Sequence, residues 1–140
     1  MDEELLKKAL DNDKNEVILQ MDTEKVMKAK NDILEQFNFT KKDLKLIQKK
    51  LRDYRFIDDI KELNYGSYIR WISLKTPDNI RLTNGGIVCD MKEINDDIRI
   101  VCKNNMNRLF QLKMSENIIF QKVSDQERIL LHVMDYLHKV

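Results

Sequence analysis

"NYGSYIRWISLKTPDNIRLTNGG", residues 64 to 86, holds all three glycines, the single proline and the single tryptophan of a 140-residue chain. Upstream of it, as far as residue 63, there is neither Gly nor Pro, and apolar residues recur at helical spacing. Downstream the spacing falls from about 3.6 to about 2. The turn-formers therefore mark the place where helices give way to strands. Gly66 stands at the changeover, Pro77 pre-sets φ in the turn "KTPDN", and Asn84-Gly85-Gly86 allows positive φ at a tight turn or bulge.

Residues 1 to 63 read as a helical N-terminal region. With Asp22 or Thr23 as N-cap, Val26, Ala29, Ile33 and Phe37 predict an amphipathic helix over residues 23–37. Thr40 caps a second helix, with Asp43 three residues on; Leu44, Ile47, Leu51 and Tyr54 carry its apolar stripe over residues 41–54. The pair forms a helical hairpin. Before it, "EELLKKAL" (3–10) is weakly helical, "DNDKNE" (11–16) reads as a solvated loop, and "VILQM" (17–21) suits a strand or a buried turn.

Residues 64 to 140 read as a small β module with a closing helix. In "IVCDMK", Ile87, Cys89 and Met91 alternate with Val88, Asp90 and Lys92; Ile98, Ile100 and Cys102 repeat the pattern, as do Phe110, Leu112 and Met114. Together with "SYIRWISL" and "NIIFQKV" these give about five strands, and the expectation is a small SH3-like antiparallel β-barrel. Ser124 and Glu127 form a capping box that opens a helix over residues 125–139. Ile129, Leu130, Val133, Tyr136 and Leu137 share one broad face of it, suited to closing the open side of the barrel. The fold class is α+β.

The chain is 42% apolar and 35% charged, with 25 basic residues against 24 acidic ones and a formal charge of +1. That balance supplies no global field for nucleic acid or an acidic membrane, so any electrostatic partner must read a local patch. No apolar run approaches the ~20 residues of a membrane span, and the first residues lack the apolar core of a signal peptide. These features point to a cytoplasmic protein that does not engage a membrane. Cys89 and Cys102 fall on the inward parity of their strands, as small hydrophobes rather than zinc ligands. His132 and His138 lie about 120° apart on their helix and do not aim at one ion. "DNDKNE" starts like a calcium loop but has Glu16 where a glycine is needed and Asp22 where a bidentate glutamate is needed. No Gly-rich phosphate loop, GxSxG elbow or HExxH is present, and the pairs Asp58, Asp59 and Asp96, Asp97 sit where carboxylates serve caps and turns. The expectation is a non-enzymatic binding module without metal or cofactor.

Two surfaces are candidates for that binding. Lys41, Lys45, Lys49 and Arg52 fall within about 80° of one another on a helical wheel, opposite Leu44, Ile47 and Leu51. Such a basic ridge suits the phosphate backbone of DNA or RNA, and equally a solvated helix face. In the β half, alternation favours Trp71 in the core, leaving Tyr68 and Arg70 outward. With Lys103 and Arg108 they would form an aromatic-plus-basic barrel face of the kind that holds a protein partner's peptide or a single strand.

"YGSYIRWISLKTPDNIRLTNGG", "IVCKNNMNRLFQLKM" and "NIIFQKVSDQERILLHVMDYL" resemble small proteins of giant nucleocytoplasmic large DNA viruses. The Lys, Asn and Ile bias suits an A+T-rich genome of that kind. The resemblance carries no catalytic motif and leaves the helical half uncovered. What it implies is a context of cytoplasmic replication or virion assembly, in the host cytoplasm or the particle. A nucleic-acid-associated accessory factor is the first reading; a protein–protein adaptor or minor virion component is the alternative.

Overall fold

A computed structural model describes residues 2 to 138, which form an α+β fold. Helix α1 (Glu3–Asp11), a 3-10 segment (Asp13–Gln20), α2 (Thr23–Glu35) and α3 (Lys41–Lys50) come first. The strands are β1 (Tyr54–Ile57), β2 (Tyr68–Ser73), β3 (Gly86–Ile94), β4 (Asp97–Lys103), β5 (Leu109–Lys113) and β6 (Asn117–Lys122), and α4 (Asp125–His138) follows. All pairings are antiparallel, in the order β1-β6-β2-β3-β4-β5.

Helix starts lie where their capping residues put them. The Asp22 carboxylate accepts from Lys25 N at 2.7 Å and the Thr40 hydroxyl from Asp43 N at 3.1 Å. Ser124 and Glu127 complete the reciprocal box, at 3.1 and 3.0 Å. The end of α3 departs from expectation: it stops at Lys50, and Tyr54 opens a strand instead of completing a stripe. "YRFI" is rich in β-favouring side chains, and Phe56 finds its neighbour in Phe120 of β6. Local periodicity carries no trace of a partner that distant in sequence. The segment read as a solvated loop is also ordered, because Asn15 is buried and its amide donates to Ala9 O and Gln126 Oε1, both at 3.0 Å.

The sheet has two differently covered faces. On the inner face Ile57, Ile69, Val88, Ile100, Leu112 and Ile119, one from each strand, form a single buried cluster with Cys102 and Leu63. Among the described residues only the short Ile60–Glu62 turn, its neighbour Leu63 and Met114 add to it from outside the strands, so the sheet's own side chains make up most of this core. On the outer face Ile72 and Phe120 meet Leu34 of α2 together with Ile47 and Leu51 at α3. The sheet nevertheless stays open. Strand β6 lies between β1 and β2, and β1 and β5 stand at the two ends of the order, each paired on one side alone among the described residues. Where a five-stranded SH3-like barrel would close, a cleft of about 330 Å³ separates Gln111–Lys113 of β5 from Trp71 and Ser73 of β2.

Strand alternation holds in β4, where Ile100 and Cys102 are buried and Ile98 packs beside them, and it fails in β3. Val88 pairs with Cys102, but the next pair is Asp90 with Val101, so Cys89 is the extra residue of a β-bulge. Ile87 and Cys89 are therefore exposed and Val88 is buried, the reverse of the expected parity; past the bulge Met91 returns to the core. Phe110 lies opposite Cys102 but at the rim, 44% exposed. Between β2 and β3 the chain is tight: a Cβ on Gly85, at φ +89°, would stand 2.2 Å from Ile69 O.

The last helix does not close the sheet. Leu130 and Leu131 of α4 are buried with Ala9, Ile18 and Val26, so it packs on α1, the 3-10 segment and α2. Tyr136 and Leu137 of the expected face are exposed.

Candidate interaction surfaces

The basic ridge is built by the apolar side of α3. Ile47 and, just past the helix end, Leu51 are buried under the sheet's outer face, which turns Lys41, Lys45 and Lys49 to solvent. Arg52 is also exposed, in the turn after α3. Lys42 and Lys50 add two further exposed cations, and among the described residues none of these six has a carboxylate within salt-bridge distance. No ion pair ties up these cations among the described residues. Arg52 additionally lines a cleft shared with α2 and α4, which the helical wheel does not reveal.

The four residues expected on the barrel face are only partly brought together. Tyr68 pairs with Ile87, Ile87 with Lys103 and Lys103 with Leu109, so these side chains form one row across the outer face. Arg108 is exposed at the adjoining hairpin, beside Leu109 (67% exposed) and Met106 (70% exposed). Arg70 lies on the same face but is half-buried, and its Nε donates to Thr83 O at 2.9 Å. It holds the β2–β3 connection. The Tyr68 hydroxyl likewise donates to Asn84 O at 2.7 Å, so neither side chain is the free outward group the alternation predicts. Trp71, as expected, packs against the inner core.

A third constellation escaped the sequence reading. Arg55 of β1 is 2% exposed and lies between two buried carboxylates: Nη1 to Glu62 Oε1 at 2.8 Å, and Nη2 to Glu127 Oε2 at 2.8 Å. Beside it Gln121 donates to Glu62 O at 2.9 Å and accepts from Asn64 N at 2.8 Å. Arg55 meets a carboxylate on each of two elements, and each glutamate also accepts from the capping amide of its own element, Asp59 N for Glu62 and Ser124 N for Glu127, which marks a structural clasp joining β1, the Ile60–Glu62 turn and α4. The signal in sequence was faint: Glu127 already had a role as a capping residue, and Arg55 stood amid β-prone neighbours.

Lys30 of α2 is buried as well, and its ammonium donates to Leu51 O at 2.8 Å and Tyr54 O at 3.0 Å. A cation there satisfies the C-cap carbonyl of α3 at Leu51, near the negative end of that helix dipole, and the carbonyl of Tyr54 where β1 begins. Burial holds its pKa below the ordinary 10.5, partly offset by Asp53. No group of three His, Cys, Asp or Glu able to hold a metal occurs among the described residues, nor does a helix long and apolar enough to cross a membrane. Compared with known protein families, curated proteins and solved structures, the chain matches none.

Proposed function

We propose that this protein is a non-enzymatic nucleic-acid-associated accessory factor that contacts phosphates through α3. The observation that carries the reading is the set of exposed, unpaired cations Lys41, Lys45, Lys49 and Arg52 on a protein whose net charge is only +1. A helix with its apolar side packed on the sheet presents those cations from one ordered backbone, so the ordering cost of meeting a phosphate backbone is confined to the side chains. Neutralising three or four phosphates gives sequence-tolerant binding with a slope of about −3 in log K against log salt on duplex DNA. Fluorescence anisotropy with single- and double-stranded oligonucleotides tests this. Binding by the parent that falls with salt and is lost in Lys45→Glu/Lys49→Glu supports it; no binding at tens of micromolar, or equal binding by both proteins, overturns it.

A second reading is favoured by a different observation. Strand β5 leaves one edge unpaired among the described residues, with Leu109 and Phe110 exposed on it and Trp71 in the adjacent cleft. An extended peptide adding to that edge would make an adaptor or minor virion component of the protein. Its binding would be indifferent to charge reversal on α3. It would be sensitive to Leu109→Lys on that edge, read by the same titrations with a peptide partner recovered from producing cells.

A further inference from the structure

A cleft of about 450 Å³ opens where α2, the C-terminal end of α3 and α4 converge. Val26, Met27, Val123 and Leu131 form its apolar wall, and Tyr54 faces it from the start of β1. Three cations line the same space: Lys30, 6% exposed, and Arg52 and Arg128, both exposed. One carboxylate, Asp53, accompanies them, leaving an excess of two positive charges. Among the described residues neither arginine has an acidic partner within salt-bridge distance, and the Lys30 ammonium is met by two carbonyl oxygens and no carboxylate.

We infer that this cleft is a binding site for a small amphipathic carboxylate, its apolar body on the Val26–Leu131 wall and its anionic head toward Arg52 and Arg128, over the buried Lys30. The size falls in the range of small-molecule pockets, which are mostly apolar with a few convergent polar groups that fix orientation. Guanidinium groups take a carboxylate through paired N–H donors, and a head group near Lys30 would supply the counter-charge that its carbonyl partners lack. Unlike the α3 ridge, which reads a repeating backbone of phosphates, this site pairs one charge with a hydrophobic body. It would accordingly make occupancy by a metabolite independent of nucleic acid, apart from the shared Arg52.

Octanoate is a suitable probe, with 1-octanol as its uncharged counterpart. Titrated into the isotopically labelled full chain, octanoate is expected to shift amide resonances of α2, α4 and the α3–β1 junction saturably, as a single site. Arg52→Gln/Arg128→Gln, two exposed positions, should weaken octanoate by about tenfold or more while leaving the spectrum of the free protein intact, and 1-octanol should bind the parent at least as much more weakly. The inference is overturned by shifts that do not saturate, by shifts that map elsewhere, by equal octanoate affinity in the double variant, or by equal affinity for octanol. Arg128→Gln alone separates this site from the ridge: it should weaken octanoate and leave oligonucleotide binding unchanged, and a loss of oligonucleotide binding with octanoate unaffected would assign Arg128 to the ridge instead.

Discussion

Cys89 and Cys102 differ because one residue was inserted into β3. The bulge carries Cys89 outward, while Cys102 stays in the inner core, where burial pushes its thiol up to about 12. A thiol reagent at neutral pH should therefore modify one cysteine in the native protein and the second only on unfolding. Mass spectrometry of the singly labelled species should place the adduct on Cys89; rapid modification of Cys102 would contradict the assigned register. Gly85 is constrained just as locally. Its positive φ and the carbonyl of Ile69, 2.2 Å from where a Cβ would stand, leave no room for a side chain, so Gly85→Ala should destabilise by at least about 2 kcal/mol in urea unfolding.

At the scale of an element, α3 separates stability from binding. Thr40→Ala removes the hydroxyl that accepts from Asp43 N and should cost about 1 kcal/mol of stability. The same change leaves every cation of the ridge in place, so salt-dependent binding of the folded protein should persist. Charge reversal at Lys45 and Lys49 should do the opposite, because both are exposed and neither touches the buried stripe. Helix α4 is an element of a different kind. Truncation after Val123 removes Leu130 and Leu131 from the core around Ala9 and Ile18 and strips Glu127 from Arg55. The truncated chain should lose cooperative melting, beginning with the N-terminal helices.

The whole molecule is tied together by the Glu62–Arg55–Glu127 clasp. Arg55→Met leaves two buried carboxylates without their cation and should destabilise by about 3–5 kcal/mol, whereas replacing all three charged groups with apolar side chains of similar volume should recover much of the loss. Denaturant titration of the single and triple variants decides it. The acid limb of stability has separate, identifiable sources. The Ser115 hydroxyl, donating at 2.8 Å, holds Asp97 below its ordinary 3.8, and the Lys25 amide, followed by His138, does the same for Asp22. A depressed folded pKa makes these contributions present above the ordinary carboxylate value and lost as pH falls through the lower folded value. Removing the Asp97 partner with Ser115→Ala should thus lower stability by a constant amount near neutrality, and that difference should shrink as pH falls below the ordinary carboxylate value and vanish once Asp97 is protonated in the folded protein. A difference that grew on acidification would refute the assignment.

How the molecule is divided between helices and strands was legible in sequence, because caps, turns and period are local. Asp22, Thr40 and Ser124 satisfy amides within three residues of themselves, and the turn-formers of residues 64 to 86 act on their own φ angles. The candidate ridge on α3 was legible for the same reason, since helical spacing alone sets which side chains share a face. What the tertiary structure decided is everything that depends on a distant partner. Strand β1 exists because Phe56 meets Phe120, the sheet is open because its end strands β1 and β5 do not pair, and Cys89 turns outward because β4 fixes the register around it. The cleft of Lys30, Arg52 and Arg128 belongs to the same class: three helices contribute to it, and no single periodicity contains their meeting point.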